Sequence, residues 1–136
     1  MNRYVVRFLS IAAVMAGSSA AMADTLEQLQ GAWVMEGTDC TQVFKHANGK
    51  TAFIDRDSSL ATGLTVVGKQ ITTPEETCTV GKSKQDGDHV NFLLNCEDSV
   101  MFNTISTSFR MIDADTFERF ETLFPDTAFT YKRCKF

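Results

Sequence analysis

The side chains able to do chemistry in this sequence are few, and their spacing restricts what they can do. There are two histidines, His46 and His89, and four cysteines, Cys40, Cys78, Cys96 and Cys134. Nucleophilic hydrolysis needs a base held beside a serine or cysteine. Neither histidine has a recognisable motif around it, and no Gly-x-Ser-x-Gly elbow occurs. Both histidines flank turn signals, so both are read as loop-end residues. Acids come in pairs at Glu75-Glu76, Asp86/Asp88, Glu97-Asp98 and Asp113/Asp115. General acid–base work needs two carboxyls meeting across a cleft in different environments. These pairs fall at strand ends and turns and are read as solvated turn acids. Asp55-Arg56-Asp57 and Asp113-Ala114-Asp115 lack the glycine and distal glutamate of a calcium loop. No Walker or Gly-x-Gly-x-x-Gly motif supports a nucleotide. The expectation is a protein that is not an enzyme, with no catalytic residue, metal or cofactor.

The cysteines speak instead of compartment. Arg3 and Arg7, the apolar run from Phe8 to Ala16, and Ala21-Met22-Ala23 form a secretory signal cleaved after Ala23. The run is too short for a membrane anchor. The mature chain, residues 24–136, is expected to be a single domain, located in the periplasm or secreted. A domain this small has a thin core, and an even cysteine count in an exported chain reads as two disulfides. Zinc is disfavoured because no Cys-x-x-Cys occurs and the histidines lie far from any cysteine in sequence. Cleavage removes two arginines and no acid, taking the net charge from −4 to −6. That excludes nucleic acid and anionic membrane as partners and leaves room for a basic one.

The elements that position these residues are strands and turns. Thr25-Leu26-Glu27-Gln28 matches a capping box and predicts one helical turn ending at Gly31. Strands follow at residues 31–36, 42–46, 50–55, 64–67, 70–73, 77–84, 89–96, 100–112, 116–121 and 129–134, with 124–126 as a loop. Asn48-Gly49 marks a tight hairpin. Alternation puts Val90, Phe92, Leu94 and Cys96 on one face, and Cys78 with Val80 on one face of the strand before. Setting Cys78 opposite Cys96 sets Val80 opposite Leu94, so apolar faces apolar. That register requires an odd loop near Asp86-Gly87-Asp88, or a bulge. Cys40–Cys134 follows by elimination, although Cys134 has the opposite parity to Phe129 and Tyr131. The basic stretch Lys132-Arg133-Cys134-Lys135 is read as protection of an exposed sheet edge. The ten phenylalanines after the signal either fill a core, the commoner case, or line a pocket. Two loops could carry recognition: Asp55 to Gly63, with Leu60 at its centre, and Phe120 to Phe129, with Leu123, Phe124 and Phe129 as a candidate binding surface. The second could equally fold over the open end of a barrel.

The short turn followed by Gly31-Ala32-Trp33 resembles the start of lipocalins and the wider calycin group. Gly31-Ala32-Trp33-Val34 followed by Cys40 also resembles lipocalin-like periplasmic metalloprotease inhibitors. The resemblance covers about a dozen residues; the extra cysteines, the short domain and the missing later motifs depart from it. It implies that Trp33 closes the barrel floor over Leu26 and Leu29, with Arg133 stacked on it. It carries over no inhibitory mechanism. The expected fold is all-β: a small antiparallel up-and-down barrel of about eight strands with a short N-terminal helical turn, a β-sandwich being the alternative. The expected function is monomeric, non-enzymatic binding or inhibition of another protein, for example a basic hydrolase. The alternatives are a carrier of a small apolar ligand in a Phe-lined cavity and an envelope structural module.

Overall fold

A computed structural model describes residues 25–57 and 62–136; the signal segment and Leu60 lie outside the described residues. Residues 25–28 form the helical turn. Then come β1 (Gly31–Met35), α1 (Cys40–Val43), β2 (Phe44–Ala47), β3 (Lys50–Phe53), β4 (Gly63–Val67), β5 (Gln70–Thr72), β6 (Thr77–Asp86), β7 (His89–Glu97), β8 (Phe102–Asp113), β9 (Thr116–Glu121) and β10 (Phe124–Arg133). β1 and β4 to β10 close into an eight-stranded antiparallel barrel in the order β1-β10-β9-β8-β7-β6-β5-β4. β2 and β3 form a separate hairpin, with Asn48 and Gly49 at positive φ as a two-residue Asn-Gly turn requires.

The lumen is filled by inward-facing rings and aliphatics. Trp33, Phe92, Phe109, Phe117 and Tyr131 pack with Leu64, Val66, Ile71, Val80, Val90 and Leu94. Phe117 is the hub: it meets Trp33 edge-on, tilts against Phe109 and stacks on Tyr131, with centroids 4.8–5.4 Å apart. At the floor, Leu29 lies under Trp33, whose indole N–H donates to the Leu29 carbonyl at 2.7 Å. The Arg133 guanidinium sits 4.0 Å above the Trp33 ring and donates to the carbonyls of Gln28, Gln30 and Ala114. It also pairs with Asp115. A Cβ on Gly31 would come within 3.1 Å of that guanidinium, so the glycine keeps the stacking geometry open.

The first strand is apolar on both faces, and the structure shows why. Ala32 and Val34 point outward, opposite to Trp33, and are covered by a flap made of α1 and the β2–β3 hairpin. Phe44, Phe53, Val43 and the Cys40–Cys134 disulfide form this second, smaller cluster. A Cβ on Gly63 would strike Val43 at 2.7 Å and Phe44 at 3.2 Å, so glycine there lets the flap approach β4. Asp39 caps α1 by accepting from the Thr41 N–H.

Both disulfides pair as the spacing and elimination arguments require: Cys78 with Cys96, and Cys40 with Cys134. Cys78 lies opposite Cys96 and Val80 opposite Leu94. The required extra residue is a bulge between Val80 and Lys82, at Gly81, so the β6–β7 turn stays at two residues. The parity conflict at Cys134 disappears because that cysteine packs on the outer face, with the flap, rather than in the lumen.

Three expectations are corrected. Residues 42–46 do not form one strand: Cys40–Val43 is a capped helical turn and pairing begins at Phe44. Phe124-Pro125-Asp126 is not a loop but the bulged start of β10, whose register with β9 shifts between Phe124 and Ala128. Lys132 to Lys135 protects no edge, because β10 is paired with β1 on one side and β9 on the other. Arg133 stacks on Trp33, Lys132 bonds the Thr116 hydroxyl and Lys135 pairs with Asp115.

Candidate functional site

The end opposite Trp33 is the open mouth of the barrel, and its lining changes character. The inward-facing residues at the top of β9 are Arg119 and Glu121, in line with Phe117 below them. Arg119 pairs with Glu121 at 2.8 Å and lies 5.5 Å from the Phe129 ring centroid and 5.7 Å from that of Tyr131. Its Nε is buried without a hydrogen-bond partner among the described residues. Glu76, from the β5–β6 turn, faces the same space, and among the described residues its carboxylate has no ion-pair partner. Burial pushes the Glu76 carboxyl above its usual range; Asp98, Glu75 and Glu121 push the same way, against Arg119. The Tyr131 phenol is raised too, by burial first. Between these groups and Thr107, Leu94, Ile105 and Phe109 lies a cavity of about 40 Å³. That is room for about three water-sized groups.

Around this mouth the chain exposes large apolar side chains. Val100 on the β7–β8 connection and Phe102 at the start of β8 are each 84% exposed, and Leu123 in the β9–β10 turn is 85% exposed. Met101 and Phe124 are exposed beside them. A groove between β8 and the β9–β10 turn is lined by Ile105, Ser106, Glu121, Thr122, Leu123 and Phe124. A second is lined mainly by acids, Glu75, Glu76, Glu97 and Asp98, together with Val100 and one cation, Arg56. The local reason is strand length. β8 has 12 residues and β9 has 6, and the topmost pairing between them is Thr107 with Glu121. Residues 102–106 therefore stand above β9, paired only with β7.

The residues singled out from sequence are divided by the fold. Leu123 and Phe124 are at the mouth and exposed, whereas Phe129 turns inward and packs against the core under Arg119. Gly31, Trp33 and Arg133 make the floor. His46 bonds Thr51 and stacks on Phe136; His89 pairs with Asp88 at 2.7 Å and meets Phe120 edge-on. The two histidines lie on separate strands with separate partners. Asp98 and Asp113 accept from backbone N–H groups of their own turns, which lowers both carboxyls below the usual range. Among the described residues, Glu76, Cys78 and Cys96 gather ligand-type atoms within 4.8 Å, but both sulfurs are engaged in the disulfide.

Sequence reasoning missed Arg119 and assigned Glu76 and Glu121 to no site. Parity held the signal: Arg119 and Glu121 share the parity of inward-facing Phe117. The pattern Phe117-Glu118-Arg119-Phe120-Glu121 nevertheless puts a ring and charges on both faces, so alternation alone could not choose between them. The chain matches no family model, no curated protein and no solved structure.

Proposed function

We propose that this chain is an exported, non-enzymatic binding protein of the bacterial periplasm whose barrel mouth docks a basic protein partner, a hydrolase being the class it suits. The observation that carries this reading is the exposure of Leu123, Phe124, Val100 and Phe102 around a mouth lined by Glu75, Glu76, Glu97, Asp98 and Glu121. Isolated exposed apolar residues are ordinary, but several on adjoining loops, ringed by charge in which acids outnumber Arg56 and Arg119, have the make-up of a binding site. The acids would steer a cationic partner inward, and the apolar side chains would supply the desolvated anchor. Two disulfides suit an oxidising compartment outside the cytoplasm. The Gly31-x-Trp33 floor under Arg133 supports kinship with calycin barrels. The aromatic rings fill the lumen and the remaining 40 Å³ is small beside the pockets of small-molecule carriers, which favours a protein over an apolar ligand.

The test is capture from periplasmic extract followed by native mass spectrometry, with a Leu123→Asp/Phe124→Asp double variant in parallel. A stoichiometric partner retained by the wild-type domain and lost by the variant is expected. A partner retained equally by both, or none retained by either, would count against the mouth as the docking surface.

A further inference from the structure

The upper part of β8, paired with β7 alone, carries a more specific inference. It rests on the reading of the mouth as the docking surface, and it names how the partner is held. In an antiparallel strand, successive residues direct their backbone groups to opposite neighbours. The Ser106 carbonyl accepts from the Thr122 hydroxyl at 2.6 Å, on the β9 side. The Met101 carbonyl accepts from the Asp98 N–H, on the β7 side. Phe102 and Thr104 therefore present their N–H and C=O groups to the β9 side, above the point where β9 ends at Glu121. Among the described residues no strand meets them there. Thr104 and Phe102 are exposed, so these backbone groups form a short strand edge bordering the groove of Ile105, Leu123 and Phe124. Other strands also outrun a neighbour, β6 past β5 and β10 past β1, but this edge is the one that borders the exposed apolar groove, and a further strand can be added here.

We propose that the partner contributes an extended segment of about four residues, which pairs with the β8 edge between Phe102 and Ser106. The side chains of such a segment alternate. Those on the inner face would lie beside Ile105 and over Glu76 and Glu121, where Arg119 is engaged with Glu121, Arg56 donates to the Pro74 carbonyl, and the Glu76 carboxylate has no ion-pair partner among the described residues. Lysine or arginine fits there, its aliphatic stem against Ile105 and its charge toward Glu76. Those on the outer face would lie beside Phe102, where an aliphatic residue fits. The occupant is thus a strand alternating basic and apolar residues.

The probe is a fluorescein-labelled eight-residue peptide alternating Lys and Val, read by anisotropy and by amide NMR of the domain. Saturable binding is expected, with the largest amide shifts at Phe102 and Thr104. Thr104→Pro removes the edge N–H while leaving the groups that face β7, and should weaken binding tenfold or more with the barrel still folded. The peptide with Glu in place of Lys should not bind. Absence of Lys-Val peptide binding to the wild-type domain, binding without shifts at Phe102 and Thr104, or equal binding of the Glu peptide would overturn the inference. The wild-type amide shifts decide the matter even if the proline variant fails to fold. If the periplasmic partner is lost with Leu123→Asp/Phe124→Asp yet held equally by Thr104→Pro, strand addition is wrong and the docking surface stands. If neither variant releases it, both readings fall.

Discussion

The floor and the mouth of this barrel are built from the same alternating strands to opposite ends. At the floor the polar groups that frame Trp33 are paired: its indole N–H with Leu29, and the Arg133 guanidinium with three carbonyls and Asp115. At the mouth, among the described residues, a carboxylate is left without an ion-pair partner, an arginine nitrogen is left without an acceptor, and five large apolar side chains face solvent. Inward-facing charges in a small barrel cost stability unless they are well paired. On the proposed function, a protein that leaves such groups at the mouth and pairs those that frame Trp33 at the floor divides stability from binding.

That division can be broken by variants ranked by their effect on stability. Trp33→Ala removes the largest buried floor side chain and should destabilise by about 3–5 kcal/mol, read by denaturant unfolding. An unchanged midpoint would end the floor reading. Removing Cys40–Cys134 together as alanines opens a link across 94 residues and should cost roughly 4 kcal/mol by the chain-entropy argument. Arg133→Met keeps much of the stem but forfeits the stacking on Trp33 and leaves carbonyls unmatched; a loss of about 2 kcal/mol is expected.

The mouth should respond differently. Leu123→Asp/Phe124→Asp should leave the unfolding midpoint within about 0.5 kcal/mol of wild type while abolishing partner retention. Glu76→Gln should change sign. Because its carboxyl is raised in the folded state, the native protein binds that proton more tightly than the unfolded chain. The folded state is therefore favoured at acid pH and loses that advantage as pH rises through the folded-state pKa. Glu76→Gln should then be slightly more stable than wild type at pH 7, with the gain fading as pH falls through the folded-state pKa and absent below the unfolded value of about 4.3, while binding the Lys-Val peptide less well. Thermal scans across pH check this; a variant less stable at neutral pH would contradict the assignment of Glu76 as an unsatisfied charge.

The floor was largely legible in the sequence and the mouth was not, for a physical reason. Cys78, Val80, Leu94 and Cys96 constrain one another through alternation, so their register and disulfide could be worked out, with the choice between an odd loop and a bulge left to the structure. Gly31 and Trp33 carry a local pattern that needs no distant partner to be noticed. The stacking of Arg133 on Trp33 is a contact between residues 100 positions apart, which no local pattern shows and only the resemblance supplied. The mouth depends on how far one strand outruns another, and strand ends are the least determined feature of a sequence. The stagger between β8 and β9 decides that residues 102–106 have no strand on their β9 side, and it is set by pairings between residues such as Thr107 and Glu121. The flap was hidden for a related reason: Ala32 and Val34 look like half of a buried strand, and only the fold shows that the second face is covered from outside.

The most direct test of the division between the two ends is to measure thermal midpoint and partner retention side by side for wild type and Leu123→Asp/Phe124→Asp. The account predicts an unchanged midpoint and lost retention. Retention equal to wild type, or lost only in step with a fallen midpoint, would contradict it.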